Sequence, residues 1–410
     1  MSLLIHNIGI LAGILDEGIS RVTGFNMGNT GIIDKAWLLV DGERIKAFGV
    51  DGAEPDADEY FDAQGGALLP SFCDSHTHIV YAGSREQEFE DKIKGLSYEE
   101  IAKRGGGILN SCDRLRSISE EELFQESMKR INEIISKGTG AVEIKSGYGL
   151  STDAELKMLR VIRKIKETSP IEVKSTFLGA HAVGKEYKGR QREYVDLICE
   201  EMVPAVAEEG LANYIDVFCD RGFFTPQETE RILKVGAKYG LIPKIHADEL
   251  DCSGGTEVGI RNNALSVDHL ERAGENEINI LKDSATIPTL LPGASFFLSM
   301  PFAPARKMVD AGLGIALASD YNPGSSPSGD MKFIMSLACL KMKLSPIEAL
   351  NGTTINGAYA MGISNKFGSI TLGKKANFFI TEPIPSLSFL PYAYTSSLIK
   401  YLFLNGRNIN

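Results

Sequence analysis

Between residues 66 and 360 the chain repeats one pattern eight times: a short β-branched or apolar run, then a longer amphipathic segment. The runs are GALLPSFCDSHTHI, GAVEIKSGY, EVKSTFLGAHA, YIDVFCDRG, LIPKIHADE, ALSVDHL, ATIPTLLP and GIALASDYN. Among the intervening stretches are SEEELFQESMKRINEIISKG and TDAELKMLRVIRKIKETS. The first follows Ser119 with acids in its opening turn and stops at Lys137-Gly138, the start and stop signals of a helix. Eight β/α units is the count of an α/β fold of the (β/α)8 TIM-barrel type, and favours it over an open doubly wound sheet.

The two ends read differently. AWLLVDGERIKAFG is two short strands around Asp41-Gly42, a hairpin signal. GSITLGKKANFFITEPI and SSLIKYLFLNGRNIN have the same β character. The expectation is a small composite β-sandwich domain built from residues 1–65 and 361–410, around a barrel over 66–360. MSLLIHNIGILAGILDEG has no basic start and no clean cleavage site, so it reads as a strand of the mature protein.

A net charge of -11 and a pI near 5.2 disfavour nucleic acid and anionic membrane as partners, since both need a basic face. A small anionic substrate is still compatible, because one arginine can hold a carboxylate. The six cysteines are scattered without a CxxC pair. In a chain of this length that pattern fits reduced thiols and a cytoplasmic protein.

The polar residues on the strands carry the chemistry. His76, His78, His181, His246 and His269 fall at or near the C-terminal ends of strand candidates, and Asp320 ends the eighth. In a barrel those ends share one mouth, where active sites lie. Strand side chains two apart point the same way, so His76 and His78 both face inward and Thr77 faces out. Two imidazoles in an apolar pocket are costly if protonated. A divalent cation removes the problem by taking both as neutral ligands. With His246 and Asp320 the set is three imidazoles and one carboxylate, suited to zinc, iron or manganese. A metal with an open position polarises a carbonyl and acidifies water, which points to metal-assisted hydrolysis. Glu249, three residues after His246, is placed to shuttle a proton. His269 and Asp320 are the candidates to take the proton of water.

LLPSFCDSHTH, HADE, VDHL and ASDYNPGSSP resemble the amidohydrolase superfamily, in its subgroup with one metal and no carboxylated lysine. Lys145 does not suggest such a bridge, because it belongs to the second strand and the fourth offers no lysine. AGSREQEF, GGGI, EIKSGYGL, TFLGAHAVG, IHADEL and ASDYNPGSSP are similar to the imidazolonepropionase family within it. That resemblance covers nearly the whole chain. It implies hydrolysis of imidazolone propionate to N-formimidoyl-L-glutamate, with one divalent metal ion, zinc or iron, on His76, His78, His246 and Asp320. It also implies that Arg85 holds the propionate carboxylate. The same resemblance implies that Tyr148 and His181 hydrogen-bond the substrate, that Glu249 contacts the ring nitrogens, that Asn322, Gly324 and Ser325 line a loop over it, and that the chain forms a homodimer. The alternative in the same superfamily is a deaminase of a nucleobase or related amino-heterocycle, which would not need the Arg85 clamp. Ser71 before the first histidine pair, Asn377 in the late lobe and Tyr321 beside Asp320 depart from the family pattern. The first two are expected to bear on lobe packing, and the Tyr321 hydroxyl on the surroundings of Asp320.

Overall fold

A computed structural model describes residues 1–96 and 106–409. Gly105, the first glycine of GGGI, lies outside the described residues.

The N-terminal strands are β1 (Ser2–Ile14), β2 (Gly31–Asp41), β3 (Arg44–Val50), β4 (Glu59–Asp62) and β5 (Ala67–Pro70). The barrel strands follow as β6 (Phe72–Thr77), β7 (Thr139–Lys145), β8 (Glu172–Ala180), β9 (Tyr214–Cys219), β10 (Ile242–Ala247), β11 (Ser266–His269), β12 (Ile287–Leu290) and β13 (Ala316–Leu317). The chain ends with β14 (Phe378–Thr381), β15 (Ile399–Leu404) and β16 (Arg407–Asn408). β6 to β13 pair in sequence order, each parallel to the next. Helices alternate with them, as the repeated pattern predicts. The other sheet is mixed and joins both chain ends in the order β16-β15-β14-β5-β1-β2-β3, with β4 on β1.

Three local differences from the sequence reading have physical causes. GALLPSFCDSHTHI is not one strand. Ala67–Pro70 pairs with β1 and β14 in the mixed sheet, and Phe72–Thr77 starts the barrel. Pro70 has no N–H to donate, so the ladder breaks there; Ser71 N–H then bonds Asn377 C=O at 3.1 Å. The β2–β3 turn centres on Gly42-Glu43, because Asp41 pairs with Arg44, and only Gly42 takes a positive φ, +60°. The Tyr321 hydroxyl turns away from Asp320 and donates to Glu133 Oε2 at 2.9 Å on an outer helix.

The helix Glu120–Ser136 opens with a reciprocal capping box between Ser119 and Glu122, a cap worth ~1 kcal/mol. It stops at Gly138, φ +88°. Between β13 and β6 the seam is short and specific. Asp320 N–H bonds His76 C=O at 3.0 Å, and His78 N–H bonds Tyr321 C=O at 2.9 Å. The barrel therefore closes through the backbone of the same residues whose side chains form the candidate site.

Candidate metal centre and substrate pocket

His76, His78, His246, His269 and Asp320 are all buried. Two sets of possible ligand atoms lie within 4.8 Å of one another among the described residues: His76, His246 and His269; and His76, His78 and Asp320. Asp320 Oδ1 is 3.6 Å from Nε2 of both His76 and His78. The His76 and His246 rings are 4.5 Å apart. His76 belongs to both sets: His78 and Asp320 join it in one, and His246 joins it in the other with His269, whose ring is 5.2 Å from that of His246.

The donor chemistry fits a cation. Nε2 of His76 and of His246 is buried without a hydrogen-bond partner. Nδ1 of His76 lies 2.6 Å from Asp268 Oδ2, and Nδ1 of His246 lies 3.0 Å from Asp216 Oδ2. The Asp268 carboxylate can only accept, so it directs the His76 ring hydrogen to Nδ1 and leaves Nε2 with its lone pair; Asp216 stands at ion-pair distance from His246 Nδ1 and favours the same arrangement there. Burial and the neighbouring Lys145 and imidazoles hold His76 well below the usual histidine range. Burial and neighbouring His181 and His246 do the same to His78. Neutral imidazoles are the metal-binding form.

Backbone strain accompanies the site. His269 and Asp320 have φ of +85° and +53°, a region unusual for side-chain-bearing residues and common where function over-determines geometry. His269 Nε2 is 3.6 Å from Glu249 Oε2, and its Nδ1 is 3.4 Å from Glu271 Oε2. Burial raises the Glu249 carboxyl to about 7. Burial would depress His269, but Glu249 and Glu271 outweigh it and lift the imidazole to about 10. The two groups thus stand side by side at the mouth, each with a raised proton affinity.

The remaining predicted residues surround this centre. His181 stacks on His78 with ring centroids 5.2 Å apart, and its Nδ1 lies 3.0 Å from Gly147 C=O. Burial drops His181 to about 3, so it is neutral. Tyr148 is buried, 6.0 Å from the His78 ring. Arg85 donates from Nε to Ser111 Oγ at 2.9 Å, while its Nη2 is buried without a hydrogen-bond partner among the described residues. Gly324 leaves room for that guanidinium: a Cβ there would meet Arg85 Nη1 at 2.4 Å. The donors of the DYNPGSS loop are turned inward. Gly324 N–H and Ser325 N–H both bond Asn322 Oδ1 at 2.8 Å, Asn322 Nδ2 donates to Asp320 C=O at 2.7 Å, and the Ser325 hydroxyl donates to Asp320 Oδ2 at 3.0 Å. These three residues fold the loop onto Asp320.

Sequence reasoning missed the carboxylates behind the site. Asp216 and Asp268 sit inside the barrel with Glu143, Lys145 and Lys244. Lys145 Nζ pairs with Glu143 at 2.7 Å and Asp216 at 2.8 Å. It is an ion-paired ammonium, in keeping with its rejection as a bridging ligand. The signal was present: YIDVF, SVDH, AVEIK and IPKIH each carry charges at inward strand positions, which demand partners when buried.

Residues 67–408 match the amidohydrolase family. Imidazolonepropionases from Christiangramia forsetii and Flavobacterium psychrophilum are 54% and 53% identical, each covering 100% of both chains. The chain belongs to the imidazolonepropionases of the amidohydrolase family. Among solved structures, the fold resembles a triazine hydrolase variant with TM-score 0.75 and 15% identity, over 100% of this chain and 94% of that one. It also resembles a zinc-bound adenosine deaminase from Xanthomonas campestris with TM-score 0.70 and 16% identity, over 99% and 92%. A structural likeness at such identity extends to architecture alone; the full-length relatives carry the closer assignment.

Proposed function

We infer that this chain opens the ring of imidazolone propionate to give N-formimidoyl-L-glutamate, with one divalent ion, zinc or iron, held by His76, His78, His246 and Asp320. The full-length identity of 51–54% to imidazolonepropionases carries this reading. When bound, such an ion polarises the lactam carbonyl and lowers the pKa of water. The other steps belong to the chain. Arg85 directs its unpartnered Nη2 at the propionate carboxylate, and Tyr148 and His181 orient the ring. Neutral His181 donates from Nδ1 to Gly147, so its Nε2 is an acceptor for a ring N–H. Asp320 accepts the proton of the attacking water, and His269, held protonated by Glu249 and Glu271, donates to the lactam carbonyl. Glu249, poised near neutrality, delivers a proton to the nitrogen released as the C–N bond breaks. Asn322, Gly324 and Ser325 form the loop that closes one side of the pocket.

The same reading makes the protein a cytoplasmic homodimer that acts on a small molecule. Its cysteines are free, which suits a reducing compartment. Among the described residues no helix is long and apolar enough to cross a membrane.

The test is loss of the imidazolone absorbance. The purified enzyme should consume the substrate, stop on treatment with a chelator and recover on reloading with zinc or iron. A metal-loaded protein that leaves the imidazolone intact would overturn the assignment.

A further inference from the structure

We propose that Lys145 is a positioning residue of the metal centre, its buried ammonium tying together the two carboxylates that orient His76 and His246. This rests on the reading of those histidines as ligands.

The geometry is a pincer. Lys145 Nζ lies 2.8 Å from Asp216 Oδ2 and 3.5 Å from Asp268 Oδ2. The same Asp216 oxygen is 3.0 Å from His246 Nδ1, and the same Asp268 oxygen is 2.6 Å from His76 Nδ1. In each arm one carboxylate oxygen lies between the ammonium and an imidazole, hydrogen-bonded to His76 Nδ1 in one and within ion-pair distance of His246 Nδ1 in the other. Asp216 also takes the His246 backbone N–H on its other oxygen, at 3.1 Å. Asp268 takes the Ser266 hydroxyl on its own second oxygen, at 2.5 Å. Lys145, Asp216 and Asp268 come from β7, β9 and β11, alternate strands whose inward residues share a layer in a barrel of this type. All three side chains are fully buried.

Two carboxylates in one dry layer repel, and neither keeps its place without a counter-charge. A single ammonium between them fixes both at once. The carboxylates in turn fix the ring rotations and the hydrogens on Nδ1, so both Nε2 lone pairs meet the same space. Lys145 therefore couples two ligands that lie 170 positions apart in the chain, His76 and His246.

A buried lysine on the intervening strand β10 supplies the control. Lys244 is equally buried, but its Nζ contacts Glu143 and the carbonyls of Ser75 and Ala360, at 3.2 Å and 3.3 Å for the carbonyls. No ion pair joins it to Asp216 or Asp268 among the described residues.

Charge and positioning predict opposite signs. Removing a cation near a dication site strengthens metal binding by electrostatics alone. Removing a positioning group weakens it, by about 10- to 100-fold for an outer partner of a ligand. Zinc affinity is measured by competition with a chromophoric chelator for the parent, K145M and K244M. K145M should weaken zinc binding by about 10- to 100-fold, and K244M should not weaken it. Zinc binding in K145M as tight as in the parent, or tighter, overturns the proposal. So does equal weakening in both variants. Nitrogen NMR of the zinc-loaded parent adds a reading that needs no variant: His76 and His246 should both carry the hydrogen on Nδ1. A hydrogen on Nε2 of either ring sinks the proposal even if K145M fails to fold. A parent that binds no zinc defeats the ligand assignment itself and is thereby distinguished from a failure of Lys145 alone.

Discussion

Arg85 shows how one side chain is prepared for a ligand. Ser111 takes its Nε, Glu88 lies 3.9 Å away, and the missing side chain of Gly324 leaves space for Nη1. Among the described residues Nη2 is left buried without a hydrogen bond, and an unpaired buried donor is costly unless something fills its need. A hydrogen bond to a charged group is worth ~1.5–3 kcal/mol, so R85A should raise KM about 10- to 100-fold while kcat changes much less, the mark of lost uniform binding. Steady-state kinetics on the imidazolone checks this; an unchanged KM in R85A returns the arginine to a structural role. At this scale the sequence was informative for residue types with few alternatives. Histidines on strand ends were legible because imidazoles rarely gather in an apolar pocket without cause. Ser111 was not, since a serine within a helix gives no sign of what its hydroxyl will meet.

Elements are set by buried carboxylates that sequence reading passed over. Glu155, in the first turns of the helix Thr152–Thr168, folds back and accepts N–H groups from Gly147, Gly149 and Leu150 at 3.0, 2.7 and 2.9 Å. Those bonds hold the KSGYGL loop in its unusual shape, with Gly147 at φ +110° and Leu150 at φ +52°, and so aim Tyr148 at the pocket. Asp220 does the same for the loop after His246, accepting the N–H groups of Glu249, Leu250 and Asp251 at 3.0, 2.8 and 3.1 Å. An acid near a helix start is ordinary in sequence, so nothing marked Glu155 as a clamp. E155Q turns one acceptor into a donor facing backbone N–H groups. It should lower stability by ~1.5–3 kcal/mol and lower kcat/KM as well. Urea unfolding and kinetics on the same preparation check this together; a loop that keeps its shape without the carboxylate would leave both unchanged.

For the whole molecule, the joint between the mixed sheet and the barrel is the part that the departures from the family pattern touch. Ser71 N–H meets Asn377 C=O, and a Cβ on Gly140 would meet Ser71 Oγ at 2.1 Å. The two departures are thus neighbours, in keeping with the expected bearing on lobe packing. The same region buries Lys374, whose Nζ donates to Ser369 Oγ at 2.7 Å and Phe367 C=O at 3.3 Å. Burial lowers its amine from 10.5 to about 8. Between those two values the unfolded chain binds a proton that the folded chain does not, so stability from this group rises with pH across that window. Below about pH 8 the folded state carries the full cost of the buried charge. The stability difference between the parent and K374M should therefore shift in favour of the parent from pH 7.5 to 9.5, read by urea unfolding; a flat difference would place the titration elsewhere.

The sequence by itself determined the barrel and the kinds of atom at its mouth. Eightfold alternation leaves few ways to bury eight short strands, and period-two spacing puts His76 and His78 on one face whatever surrounds them. Only the tertiary structure decided which carboxylate stands behind which imidazole, and which backbone N–H groups each buried acid collects. Those pairings join positions far apart in the chain, such as His76 with Asp268 and His78 with Tyr321. Local propensity carries no information about them, because the partners meet only in the closed barrel, the first strand facing the sixth across the interior and meeting the chain after the eighth at the seam.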